Sequence, residues 1–145
     1  MKQQFLIAIG GISGNGKSTL AEKLKNEFNS RAQTTLVLDS DRARKILWHT
    51  GQCQFEYDLT EVLPPEAYSA EWSQKTYEMI ADYCEKLLNV GVNIIIDATL
   101  LDAGQRRAFE KIAADTGASF KGIWLENDQD VLKERADTRE KGISD

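Results

Sequence analysis

A chain of 145 residues, 41% apolar and 28% charged, has room for one core and the side chains to fill it, so a second full domain and default disorder are both disfavoured. Its 18 basic against 23 acidic residues leave a net charge of −5, which disfavours a general cationic grip on nucleic acid but leaves room for a local basic pocket. The longest apolar runs, such as Ile94 to Ile96, fall far short of the roughly 20 residues a membrane-spanning helix needs.

Met1 to Gln4 carries one Lys and runs straight into a strand-like segment, without the charged, apolar and small-residue regions of a signal peptide, so a cytoplasmic protein is expected. The first strand is placed at Gln4 to Ile9. After it, Gly11-Ile12-Ser13-Gly14-Asn15-Gly16-Lys17-Ser18 fits G-x-x-x-x-G-K-[ST] at every fixed position, between a strand and a helix. Glycines let the loop curl until successive backbone N–H groups point inward, and the helix adds its positive N-terminal end, so phosphates fit there. Gly11, Ser13, Gly14, Asn15, Gly16, Lys17, Ser18 and Thr19 are therefore expected to line a nucleoside triphosphate site. Lys17 reaches the β- and γ-phosphates, and the Ser18 hydroxyl is a ligand for Mg²⁺. Leu20, Leu24 and Phe28 recur every four residues and mark the helix that follows.

Thr34 to Asp39 reads as the second strand. Asp39-Ser40-Asp41-Arg42-Ala43-Arg44 follows it, and one of its carboxylates, Asp39 or Asp41, is a candidate general base, with Asp41 preferred. Ser40 or Asp41 is equally suited to cap a helix beginning near Arg42. Arg44, three residues beyond Asp41, shares its helical face and is a candidate to hold the acceptor or its phosphate. Trp48 to Tyr68, with His49, Phe55 and Tyr57, lacks clean periodicity and reads either as a loop or cap over a site or as a satellite core cluster. Pro64-Pro65 marks a corner before a long helix from about Tyr68 to Leu88, whose stripe includes Ile80, Leu87 and Leu88.

The third strand, Val92 to Asp97, holds three consecutive isoleucines and should be covered on both faces, as in a parallel sheet between helices. It ends in Asp97, which in such a setting reaches Mg²⁺ or its water. Ala98, not Glu, comes next, which disfavours a mechanical ATPase of the AAA type. The absence of Asn-Lys-x-Asp and Ser-Gly-Gly disfavours a GTPase and a transporter ATPase. Arg106 and Arg107 are weaker candidates for charge neutralisation. After a fourth strand at Ser119 to Leu125, Arg135 and Arg139 are spaced to project from one side of a helix, either as candidates to close over a triphosphate or as part of a charged surface face with Glu134, Asp137 and Glu140. Cys53 and Cys84, with a single His, are too few for a disulfide framework or a zinc site and read as reduced structural residues.

Taken together, GISGNGKST, the D-x-x-R of Asp41 and Arg44, YSAEWSQKTY from Tyr68 to Tyr77, IIIDATLLDAGQRR and the R-x-x-x-R of Arg135 and Arg139 resemble the P-loop kinase-like proteins, the AAA-type predicted kinases related to polynucleotide kinase, zeta toxin, chloramphenicol phosphotransferase and gluconate kinase. The resemblance spans almost the whole chain. It implies one α/β domain over residues 1–145, with an adenylate-kinase-like parallel sheet flanked by helices and the third strand beside the first. It further implies ATP with Mg²⁺ as donor, Ser18 and Asp97 at the metal, Asp41 as base, and Arg135 and Arg139 in a lid near residues 128–145. Relatives usually continue into a fifth strand whose loop helps hold adenine, whereas this sequence stops at Asp145, so a missing C-terminal strand and an incomplete adenine pocket are expected. The leading expectation is an ATP-dependent kinase acting on a hydroxyl of a small molecule, with 5′-hydroxyl nucleic-acid ends among the candidates. The alternative is a nucleotide-binding regulatory or toxin-like module that acts through a protein partner.

Overall fold

Phe5–Gly11 forms β1, and nearly all of it is buried because it has a strand on each side and helices above and below. In the computed structural model, which describes residues 3–12, 16–51, 62–100 and 102–125, β1 leads into helix α1 (Lys17–Ser30), strand β2 (Thr35–Asp39) and helix α2 (Ser40–Gly51). A 3₁₀ turn at Pro65–Tyr68 precedes helix α3 (Ala70–Asn89), strand β3 (Asn93–Asp97), helix α4 (Ala103–Thr116) and strand β4 (Ser119–Leu125). Among the described residues the four strands make one parallel sheet in the order β2-β3-β1-β4, so the third strand lies beside the first, as the resemblance implied.

Alternation along β1 and β3 sorts the core into two layers. Ile7, Ile9 and Ile95 face α1, where Leu20, Leu24 and Phe28 cover them. Leu6, Ala8, Ile94 and Ile96 face the other way, against Ile80, Cys84 and Leu88 of α3 and Phe109 and Ala113 of α4. Ile94, Ile95 and Ile96 are fully buried, which is why three consecutive isoleucines are tolerated in one strand. The connection from β1 to β2 crosses one face and those from β2 to β3 and β3 to β4 cross the other, in keeping with right-handed crossovers. The chain thus leaves the adjacent strands β1 and β3 toward opposite faces, which opens a crevice at their C-terminal ends.

Several local boundaries differ from the sequence reading. β1 runs two residues further, through Gly10 and Gly11, because β4 pairs with it as far as Gly11↔Leu125. A Cβ on Gly10 would lie 2.9 Å from the Trp124 ring, so this close pairing needs glycine. α2 starts at Ser40 rather than near Arg42, and its cap is Asp39, not Ser40 or Asp41. α3 starts at Ala70 under a Ser69 cap, since Pro65 opens a separate 3₁₀ turn that contains Tyr68. Trp48 and His49 belong to α2 rather than to a loop; His49 is buried and Trp48 packs edge-on against Trp72 of α3 at 5.0 Å. Phe55 and Tyr57 lie outside the described residues, as does Cys53. Cys84 is a free, buried thiol, and its burial pushes the pKa up to about 12, so it is an inert part of the core. Among the described residues no helix is long and apolar enough to cross a membrane.

Candidate phosphate and metal site

Gly11 closes β1 with φ of 137°, and a Cβ there would lie 2.5 Å from the Leu125 carbonyl oxygen. Only glycine lets the chain turn so close to β4. The exit from β1 is tied to the exit from β3: Ala98 N–H donates to Ile9 O at 3.3 Å, and Gly11 N–H donates to Thr99 O at 3.0 Å. The start of the phosphate loop and the segment after Asp97 are therefore held side by side.

Gly16, in the left-handed conformation at φ 85°, begins α1, whose first turn has no side-chain cap and no acidic residue. Its first N–H groups keep their positive end for an anion. Lys17 is only 8% exposed, and its Nζ donates to Ile12 O at 3.3 Å, so the ammonium folds back over the loop backbone. Thr19, one residue past Ser18, is exposed on α1. The Ser18 hydroxyl donates to Asp97 Oδ2 at 2.7 Å across the crevice between β1 and β3.

Asp97 is 5% exposed. Burial raises its pKa above the ordinary carboxylate value, and the negative charges of Asp39 and Asp41 push the same way, against the Ser18 hydrogen bond and the Lys17 charge. A hard, oxygen-only donor pair with surplus negative charge suits a divalent cation such as Mg²⁺. Ser18 and Asp97, both expected at the metal, are in direct contact, and their chemistry fits the ion.

Asp39 lies in register with Asp97 on the neighbouring strand. Its Oδ1 accepts the N–H of Asp41 at 2.8 Å and of Arg42 at 3.3 Å. Asp41, in the first turn of α2, has a side chain 59% exposed and pairs with Lys45 at 3.1 Å. Lys45 was missed in the sequence, although its i, i+4 spacing from Asp41 is the available signal. Arg44 lies at the junction of α2 with α3: its Nη1 donates to Ala67 O at 2.8 Å and to Ser73 Oγ at 3.1 Å, and its guanidinium sits 4.9 Å from the Tyr68 ring centre.

Arg106 donates to Leu100 O and lies over Trp124, so it braces the α4 side of the sheet. With Arg107 it lines a cavity of about 670 Å³ between α4 and β4 whose lining does not include Lys17, Ser18 or Asp97. Ser13, Gly14 and Asn15 of the phosphate loop, and Arg135 and Arg139, lie outside the described residues.

A family model described as an AAA domain matches residues 6–144. An uncharacterized protein of Mycobacterium tuberculosis is 29% identical over 140 residues, which are 97% of this chain and 26% of that protein, so the chain spans about a quarter of that relative's length. An adenylyl-sulfate kinase of Burkholderia ambifaria is 44% identical over 43 residues, covering 30% of this chain and 24% of that enzyme. The solved structure of the Mycobacterium tuberculosis APS kinase CysC in complex with AMPPNP and APS superposes with a TM-score of 0.67 at 20% identity, covering 92% of this chain and 69% of that one. At that identity the likeness is one of fold. With the G-x-x-x-x-G-K-[ST] motif, an Asp at the end of β3 that accepts from Ser18 and a family match over nearly its whole length, the chain belongs to the AAA-domain family of P-loop kinase-like proteins.

Proposed function

We propose that this chain binds ATP with Mg²⁺ and transfers the γ-phosphoryl group to a hydroxyl of a small-molecule acceptor. The observation that carries the reading is the Ser18–Asp97 contact at 2.7 Å, made beside the buried Lys17 in the crevice between β1 and β3. Phosphoryl transfer asks a protein mainly for position and charge, and these residues supply both. Gly11, Gly16 and the start of α1, with Ser13, Gly14, Asn15 and Thr19 of the same motif, enclose the phosphates. Lys17 holds the β- and γ-phosphates from within the loop. Ser18 and Asp97 hold Mg²⁺, which neutralises phosphate charge when bound.

Asp41 is the proposed base. Its carboxylate accepts the acceptor's hydroxyl proton as the acceptor oxygen bonds to the γ-phosphorus and the bridging oxygen leaves with ADP. Its exposure on α2 lets an acceptor reach it, beside the Lys45 ammonium that pairs with it. Arg44 orients the acceptor or its phosphate from the junction of α2 and α3, and Arg135 and Arg139 close over the triphosphate from a lid. The fold of an APS kinase solved with AMPPNP and APS supports a small-molecule acceptor beside the nucleotide. The test is transfer of labelled γ-phosphate from ATP to sugars, antibiotics, nucleosides and 5′-hydroxyl oligonucleotides. At least one acceptor is expected to be labelled, with Asp41→Asn lowering kcat about a hundredfold. Labelling of none, or an Asp41→Asn variant as fast as the parent, would contradict the reading.

A further inference from the structure

Asp39 ends β2 and Asp41 opens α2, and either carboxylate suits acid–base work; their hydrogen bonds separate them. Asp39 ends β2 opposite Asp97, the last pair of the β2–β3 ladder. Its Oδ1 accepts from Asp41 N–H and Arg42 N–H, the second and third amides of α2, which is the pattern of a helix-capping side chain. A negative charge at that end also complements the helix dipole. Asp41 instead turns its carboxylate outward, to Lys45 and solvent. From Asp97 through the ladder to Asp39, and through the cap to Asp41, the path has no free loop. Arg44 lies one turn further along the same helix, anchored to Ala67 and Ser73.

We propose that Asp39 is a positioning residue: its capping carboxylate fixes the first turn of α2 against the end of the sheet and so sets where Asp41 and Arg44 stand relative to the end of β3, and it acts on phosphoryl transfer only through them. The catalytic consequence rests on the kinase reading above, whereas the cap does not. A cap requires an acceptor oxygen but no charge; a base or a metal ligand requires the charge. Asp39→Asn and Asp39→Ser keep an acceptor and remove the charge, and Asp39→Ala removes both.

Three measurements on the full chain test this: amide hydrogen exchange at Asp41 and Arg42 by NMR, affinity for AMPPNP with Mg²⁺, and kcat with the acceptor found by the labelling screen. In Asp39→Ala, exchange at the two amides is expected to speed up about tenfold and kcat to fall about tenfold, with AMPPNP·Mg²⁺ affinity within about threefold. Asp39→Asn and Asp39→Ser are expected to restore both exchange protection and kcat. The proposal is overturned if those two variants lose as much kcat as Asp39→Ala while their amides stay protected. It is equally overturned if all three lose more than about tenfold in AMPPNP·Mg²⁺ affinity, the size of a lost metal ligand, or if Asp39→Ala leaves the two amides protected. Exchange is read without turnover, so failure of the cap and failure of the kinase reading give different results.

Discussion

Asp97 is a carboxylate whose charged form the fold disfavours, chiefly because it is buried. It is buried, it faces the charges of Asp39 and Asp41, and its pKa is raised despite the Ser18 hydrogen bond and Lys17. The folded chain therefore holds this proton more tightly than the unfolded chain does. Stability of the metal-free fold falls as pH rises from the ordinary carboxylate range through the raised value, because ionisation is then costlier in the folded state. Asp97→Asn retains an oxygen to accept from Ser18 and removes the charge. In EDTA at pH 7 it should melt about 2–4 °C above the parent, and the gap should narrow as pH falls toward the ordinary carboxylate range. Melting curves across that range check this; a lower Tm for Asp97→Asn would contradict it.

At the scale of elements, the junction between β1 and β4 sets where the phosphate loop begins. Gly11 leaves β1 at positive φ with the Leu125 carbonyl where a Cβ would sit, so Gly11→Ala must move backbone rather than a flexible side chain. Its cost is expected at about 2–4 kcal/mol, read as a drop in the denaturant midpoint, together with weaker nucleotide binding. A variant as stable as the parent would show that β4 does not brace the loop. The third strand was legible in the sequence because Ile94 to Ile96 announce burial on two faces, and the phosphate loop because its glycines and Lys17 sit at fixed spacing. The start of α2 was misplaced because Asp39 serves two elements at once, as the last rung of β2 and the cap of the helix. Arg44 reads in the sequence as a neighbour of Asp41, but its anchors Ala67 and Ser73 lie 23 and 29 residues away, and only tertiary packing reveals them.

Over the whole molecule, the strand order decides which side chains meet. Placing β1 between β3 and β4 brings Ser18 and Asp97, 79 positions apart in the chain, to hydrogen-bonding distance at one sheet edge. The same end of the sheet holds Asp39, the last residue of β2, and Asp41 in the first turn of α2, and the charges of both act on Asp97 against that of the buried Lys17. In the proposed reading a cation and a polyphosphate bind there together, so nucleotide affinity should depend on Mg²⁺ and on Asp97. Calorimetric titration with AMPPNP, with and without Mg²⁺, tests this most directly. The parent chain is expected to bind at least about tenfold more tightly with Mg²⁺, with Asp97→Asn abolishing that gain and Lys17→Ala weakening binding in both conditions. Equal affinity with and without Mg²⁺, unchanged by either substitution, would contradict the account.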